Sequence, residues 1–255
     1  MSIQRDDLTA FFTTLLEPGR YPDYGPNGLQ IEGCEVIDKI AFAVSATAAS
    51  TRDAVSLDAQ ALVVHHGLFW RFHGPRPLTG PFARRVFPLV RQQINLYGYH
   101  LPLDGHLEVG NAAALARRIG VVELAPFGEY QGVTTGVQGR LNPPVAAREL
   151  QLNLQQVLDH PVMLASPDHE APISTVGIIT GGANGEWIQA RAAGLDAYIT
   201  GEMSEHDWHE SQEAGIHMFA GGHHATEQFG IQELMARVSR TFDVACVYLT
   251  CDNPA

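Results

Sequence analysis

Gly221-Gly222-His223-His224-Ala225-Thr226-Glu227 reads as the junction between a strand and a helix. The apolar run His217 to Ala220 precedes it, and a long periodic segment, 226–241, follows. If the glycines close the strand and the helix starts here, His223 and Glu227 stand one turn apart on one helix face. An imidazole and a carboxylate at that spacing suit a divalent metal ion. The plainer reading of this stretch alone is a solvated helix face.

The same strand-then-helix rhythm extends through the chain. Asp6-Asp7 opens a helix whose apolar residues are Leu8, Phe11, Phe12, Leu15 and Leu16, and Pro18-Gly19 stops it. The Pro/Gly-rich stretch 21–33 is expected to be a loop with many hydrogen-bonding side chains. Strands are expected at 40–44, 61–64, 95–99, 162–165, 175–180, 197–200, 217–220 and 244–249, with β character at 132–142. Helices are expected at 47–56, 82–93, 110–119, 144–158, 184–193 and 204–214. Short apolar strands alternating with helices predict an α/β fold of two similar domains with mostly parallel sheets. The softest boundary is Ala125-Pro126-Phe127-Gly128. One domain is expected at 1–125 plus 216–255 and a second at 126–215. A faint repeat supports two halves of like plan: strand 40–44, helix, strand 61–64, then His65-His66, against strand 175–180, helix, strand 197–200, then Gly201-Glu202. In such sheets ligands sit beyond the carboxyl ends of strands, where the polar clusters fall, so the metal site is expected there, between the domains.

Composition excludes several function classes. The 255 residues are 45% hydrophobic and carry a formal net charge of −12, with no basic run. That argues against a general nucleic-acid surface and against binding to an anionic membrane. No apolar run reaches membrane-spanning length, and no secretory leader is recognisable after Met1. Cys34, Cys246 and Cys251, widely spaced and odd in number, favour reduced thiols and a cytoplasmic location. Twelve histidines are the compositional oddity.

Two further clusters join the first. His65 and His66 end an apolar strand, where neighbouring side chains point to opposite faces. Each can serve a different ion, or one is buried and hydrogen-bonded while the other is solvated. His100-Leu101-Pro102-Leu103-Asp104 is expected to be a loop because Pro102 disfavours a continuous helix. Asp104 is a natural third ligand there, and His100 a ligand or proton-transfer group. His106 and Asn111 read as surface or capping residues. His65, His66, Asp104, His223 and Glu227 supply three imidazoles and two carboxylates, a set for two divalent ions (Zn, Fe, Mn or Ni) if Glu227 bridges. A net site charge of about +2 would favour an anionic, phosphorylated substrate, and a bridging water would be acidified. Glu202, at a strand end, is a candidate general acid or base or a hydrogen-bond partner for a ligand of the site, or equally a carboxylate complementing the dipole of the helix that follows. The His206/Glu210 pair reads as solvated.

Five ordered motifs carry a resemblance: Asn27-Gly28-Leu29-Gln30, Val64-His65-His66-Gly67, His100 to Asp104, Ile199-Thr200-Gly201-Glu202-Met203-Ser204-Glu205, and Gly222 to Glu227. Together they resemble the GTP cyclohydrolase 1 type 2 family, dinuclear-metal, ring-forming proteins related to NGG-interacting factor three, and most closely its short bacterial members. The resemblance implies two metals per chain, one held by His65 and Asp104, the other by His66 and His223, with Glu227 shared. It selects His223 over His224 as ligand. It implies a two-domain α/β protomer in a homohexameric ring, a trimer of dimers. It also implies a hydrolase acting on a phosphorylated small molecule, with GTP opened to dihydroneopterin triphosphate as the activity carried by the name. The rival expectation is a non-catalytic metal-binding ring that acts as scaffold or regulator, for example in DNA repair or stress response.

Overall fold

In a computed structural model, residues 2–255 are described, and they form two compact units. Of the described residues, one comprises 2–103 and 231–251, the other 104–230 and 252–255. In chain order the elements are β1 (Ile3–Gln4), α1 (Arg5–Leu16), β2 (Gly28–Ile31), β3 (Val36–Ile37), β4 (Lys39–Ser45), α2 (Ala48–Ser56), β5 (Ala61–His66), α3 (Gly80–Arg91), β6 (Asn95–Gly98), α4 (Leu101–Asp104) and α5 (Asn111–Arg118). They continue with β7 (Val121–Tyr130), β8 (Val133–Ala146), α6 (Ala147–Leu158), β9 (Met163–Ala165), β10 (Pro172–Ile178), α7 (Trp187–Ala192), β11 (Ala197–Thr200), α8 (Glu205–Glu213), β12 (His217–Ala220), α9 (His223–Thr241) and β13 (Ala245–Tyr248).

The first unit is built on a five-stranded sheet of order β13-β4-β5-β6-β2. Every pairing is parallel except that of the edge strand β2, which runs antiparallel to β6. The central strand β5 reads Ala-Leu-Val-Val-His and is buried through His65, because both faces of a parallel sheet are covered. Leu62 and Val64 pack with Ala54, Phe82, Val86 and Leu89 from α2 and α3. On α1, Phe12 is fully buried and its ring lies 5.5 Å from that of Tyr97 and 5.2 Å from that of Tyr99. Phe12 therefore braces the segment that delivers His100.

The second unit holds a six-stranded mixed sheet of order β7-β8-β10-β11-β12-β9. The β10-β11-β12 core is parallel, while β7, β8 and β9 pair antiparallel. Side-chain alternation lets β11 and β12 serve two cores. Ala197, Ile199 and Phe219 join the α5 and α6 residues in one, and Tyr198 and Met218 meet Trp187 and Phe127 in the other. The α/β class and the like plan of the halves are thus present: β4-β5-β6 and β10-β11-β12 are matching parallel trios joined through helices.

Several local expectations change. The unit bounds lie at 103/104 and 230/231, away from the expected 125/126 and 215/216. Ala125 to Gly128, expected as a boundary, lies inside β7, which forms a hairpin with β8. The connecting Gln131-Gly132 has φ of 49° and 85°, the paired positive values of a tight two-residue hairpin turn. The sequence signal was there, but the proline and glycine of β7 masked the strand. Residues 144–146 extend β8, and helix α6 starts only at Ala147. The 21–33 loop contains β2, a short edge strand that tolerates its irregular composition. His100 to Asp104 is not an extended loop: Leu101–Asp104 form one helical turn, with Pro102 in the first turn, where its missing N–H costs nothing. The mostly parallel expectation holds for the first sheet; the second is mixed.

Replacing Phe12 by Ala should lower unfolding stability by about 3 to 5 kcal/mol, the usual cost of emptying an aromatic site in a core. Urea denaturation of the full chain measures it, and a loss within experimental error would contradict the bracing role.

Candidate metal centre

Three imidazoles meet at the carboxyl ends of β5 and β6 in the first unit. The rings of His65 and His66 lie 4.5 Å apart, and His100 lies 5.0 Å from the first and 5.7 Å from the second. One ring nitrogen from each falls within 4.8 Å of the others, the spacing of a metal-binding group. Sheet alternation separates His65 and His66 by face, yet the strand ends here and tilts the rings together at 48°.

Each ring is anchored through Nδ1. His65 Nδ1 lies 2.9 Å from the Tyr99 carbonyl oxygen, to which it donates. His66 Nδ1 is 3.0 Å from the Ser45 hydroxyl on the neighbouring strand. His100 Nδ1 donates to Asp23 Oδ1 at 2.7 Å. With Nδ1 donating to a carbonyl or a carboxylate, the lone pair of a neutral His65 or His100 ring sits on Nε2, the arrangement that orients histidine ligands in metal sites.

Asp23 is the residue that sequence reasoning missed. It is buried, and besides His100 it accepts from Asn27 Nδ2 at 2.8 Å and from the Leu101 backbone N–H at 2.9 Å. Asn27 Oδ1 in turn accepts the His100 N–H at 2.8 Å. Burial pushes the Asp23 carboxyl pKa up, but the hydrogen bonds from His100, Asn27 and Leu101 outweigh it and hold the group below its ordinary value. Its position in the hydrogen-bond-rich 21–33 stretch was the available signal.

The second unit contributes carboxylates and the fourth imidazole. Helix α9 begins at His223, as the opening reading required, so His223 and Glu227 share a face, with Nε2 3.3 Å from Glu227 Oε2. His223 follows the same anchoring rule: its Nδ1 donates to Glu202 Oε1 at 2.5 Å. Burial alone would depress the His223 pKa, but Glu227 and Glu202 together raise it to about 9. Glu202 therefore sits where it orients His223. Its neighbour His224 donates its backbone N–H to the Ala255 carbonyl at 2.9 Å.

Glu227 is buried, and Gly181 lies against it. Gly181 has φ of +71°, and a Cβ there would fall 2.1 Å from Glu227 Oε1, so only glycine fits. Its N–H donates to Thr226 Oγ1 at 3.1 Å. Asp104, also buried, accepts from Asn111 Nδ2 at 2.8 Å and Thr180 Oγ1 at 3.3 Å. Asn111 was expected at the surface or as a cap, but it is fully buried, and its Oδ1 accepts the Gly230 N–H at 2.9 Å. A Cβ on Gly230 would meet that oxygen at 2.3 Å. One amide thus couples Asp104 to α9. His106 does cap, accepting the N–H groups of Glu108 and Val109, and His206 is exposed.

The donor set matches divalent-metal chemistry in each unit, with anchored imidazoles in the first, and an anchored imidazole and supported carboxylates in the second. The profile of Duf34/NIF3 (NGG1p interacting factor 3) matches residues 3–254. The chain belongs to the Duf34/NIF3 family. Among its relatives, a Pasteurella multocida (strain Pm70) protein called GTP cyclohydrolase 1 type 2 homolog is 42% identical over 233 residues, 91% of this chain and 92% of that one. A Pseudomonas aeruginosa protein of the same name is 38% identical over the whole length of both. Of solved structures, the structural-genomics protein ybgI, of unknown function, superposes with a TM-score of 0.90 at 36% identity, covering 99% of this chain and 100% of the other. A Thermus thermophilus protein gives 0.89 at 32% identity, again covering 99% and 100%. The family match and the shared fold each extend over nearly all of the chain.

Two substitutions test the supports. Asn111→Ala strips Gly230 N–H and Asp104 of a buried partner and should cost about 1 to 3 kcal/mol in urea denaturation; a neutral effect would contradict the coupling. For Asp23→Asn the sign follows from the lowered pKa. The carboxylate's stabilisation is complete above the unfolded pKa near 3.8 and fades as pH falls through the lower folded value. The stability gap between wild type and variant should be widest near pH 6 and shrink toward pH 3; a gap that grows on acidification would contradict it.

Proposed function

We propose that the chain is a metal-dependent hydrolase acting on a phosphorylated small molecule, with two divalent ions. His65 and Asp104 would hold one ion, His66 and His223 the other, and Glu227 both. Imidazole with carboxylate suits Zn, Fe, Mn or Ni. The observation that carries this reading is that His65, His66, His100 and His223 each have Nδ1 against an oxygen, which turns Nε2 the other way, and that the Nε2 of His223 faces the buried Glu227 carboxylate.

Bound divalent ions supply Lewis acidity and lower the pKa of water. The chain's own residues do the rest. Asp23 holds the His100 ring still through Nδ1, so that Nε2 is the atom at which His100 would take up and return a proton. Trp70 packs edge-on against the His100 ring at 5.0 Å and shields that flank from water. Glu202 orients His223 rather than reaching for substrate. Named relatives direct the first substrate trial to GTP, with dihydroneopterin triphosphate as product. The same family reading supports a homohexameric ring. The three free cysteines support a reducing, cytoplasmic setting. Among the described residues no helix is long and apolar enough to cross a membrane.

The test is turnover of GTP and a panel of phosphoesters by metal-loaded protein. Wild type should hydrolyse at least one compound. His100→Gln should lower kcat by roughly 100-fold or more with metal content retained, and Glu227→Ala should lose both metal and activity. Turnover of no compound by an assembled, metal-loaded protein would overturn the hydrolase in favour of a scaffold.

A further inference from the structure

The motif Asn27-Gly28-Leu29-Gln30 brings a second amide, that of Gln30, near the Asn27 amide that holds His100. Gln30 lies on the edge strand β2, at an irregular step. Leu29 pairs with Tyr97 of β6, but Ile31 pairs with Leu96, so Gln30 is one residue more than β6 can match. Such a bulge interrupts strict alternation and re-aims one side chain. The Gln30 amide reaches across the ends of β6 and β5.

Both strand ends meet that amide with glycine. A Cβ on Gly98 would fall 2.6 Å from Gln30 Nε2, and one on Gly67, the residue after His66, would fall closer still. Gly67 and Gly98 thus leave a notch that the amide fills, and a side chain at either position would push it off its partners. Those partners are both backbone groups. Gln30 Oε1 accepts the Leu68 N–H at 2.9 Å, and Nε2 donates to the Pro26 carbonyl at 2.8 Å. A backbone N–H only donates and a carbonyl only accepts, so a single orientation of the amide satisfies both. The Leu68 bond holds the chain two residues beyond His66. The Pro26 bond holds the residue before Asn27, whose side chain accepts the His100 N–H and donates to Asp23. Gln30, Asn27, His65 and His100 line one recess of the first unit.

We infer that Gln30 is a positioning residue. Its amide couples the chain leaving β5, which carries His65 and His66, to the Asn27 turn, which holds His100, and so sets how those imidazoles stand to one another. The effect on metal binding rests on the proposed metal centre; the coupling itself does not. A methionine of similar length would fill the notch and make neither bond. An alanine would leave the notch open. Residues that orient metal ligands from behind are worth roughly 10- to 100-fold in metal affinity, and Gln30 acts on the backbone on either side of three imidazoles.

Hydrogen exchange at individual amides, together with Co2+ titration of the full chain, tests it. In Gln30→Met the Leu68 amide should exchange at least about tenfold faster, and so should the His100 amide, which Gln30 does not itself bond, while Leu62 and Leu96 in the sheet stay unchanged. The Co2+ dissociation constant should rise roughly tenfold and the visible spectrum of the bound ion should change. Gly98→Ala, which displaces the amide with Gln30 intact, should reproduce this pattern, whereas in a Gln30→Ala background it should add little. A faster Leu68 amide with an unchanged His100 amide overturns the coupling. So does uniform acceleration through the sheet, which would make Gln30 a stability residue alone. The expected exchange pattern with unchanged Co2+ affinity and spectrum overturns the positioning role and leaves the metal centre standing. A wild type that takes up no Co2+ removes the metal centre, and the exchange pattern still decides the coupling.

Discussion

A buried carboxylate, Asp23, fixes the end of β6. With one side chain it ties down the His100 ring, the Leu101 N–H that opens α4, and the Asn27 amide that in turn holds the His100 backbone. Burying a charge is costly unless it is fully paired, and here the pairing is dense enough to keep the group ionised. The consequence is positional. His100 cannot rotate without breaking a charge-assisted hydrogen bond, and the helical turn ending at Asp104 starts from a fixed N–H. Asn111 repeats the device in the second unit with an uncharged amide, joining Asp104 to the backbone of α9 at Gly230.

The other imidazoles obey the same logic with cheaper anchors. A backbone carbonyl serves His65, a hydroxyl serves His66, and a carboxylate serves His223. In every case Nδ1 faces the protein. The Nδ1 anchors limit ring rotation and so fix the direction in which each Nε2 points. Glycines complete the site by yielding space: Gly181 lets the backbone pass against Glu227 where any side chain would collide.

The parts legible in the sequence were those with a local pattern. Val63-Val64-His65-His66 announces a buried strand with polar tips, and Gly222-His223 to Glu227 announces a helix start with two donors on one face; both stand as read. The matching βαβ trios were visible as a faint repeat. What escaped depends on contacts between segments distant in sequence. Asp23 and His100 are 77 residues apart, and Asn111 and Gly230 are 119 apart, so neither pairing leaves a periodic trace. The β7 strand was hidden because Pro126 and Gly128 imitate a linker while their hairpin partner β8 supplies the order. Pro102 was read as a helix breaker where it sits in the one turn that tolerates it.

The central proposal is that His65, His66, Asp104, His223 and Glu227 hold two ions, with Glu227 common to both. Anomalous diffraction from crystals of the protein purified with its native metal measures this directly. The account predicts two peaks per chain roughly 3.5–4 Å apart, one on His65 and Asp104, the other on His66 and His223, with Glu227 reaching both. A single peak, or peaks away from these side chains, would contradict it.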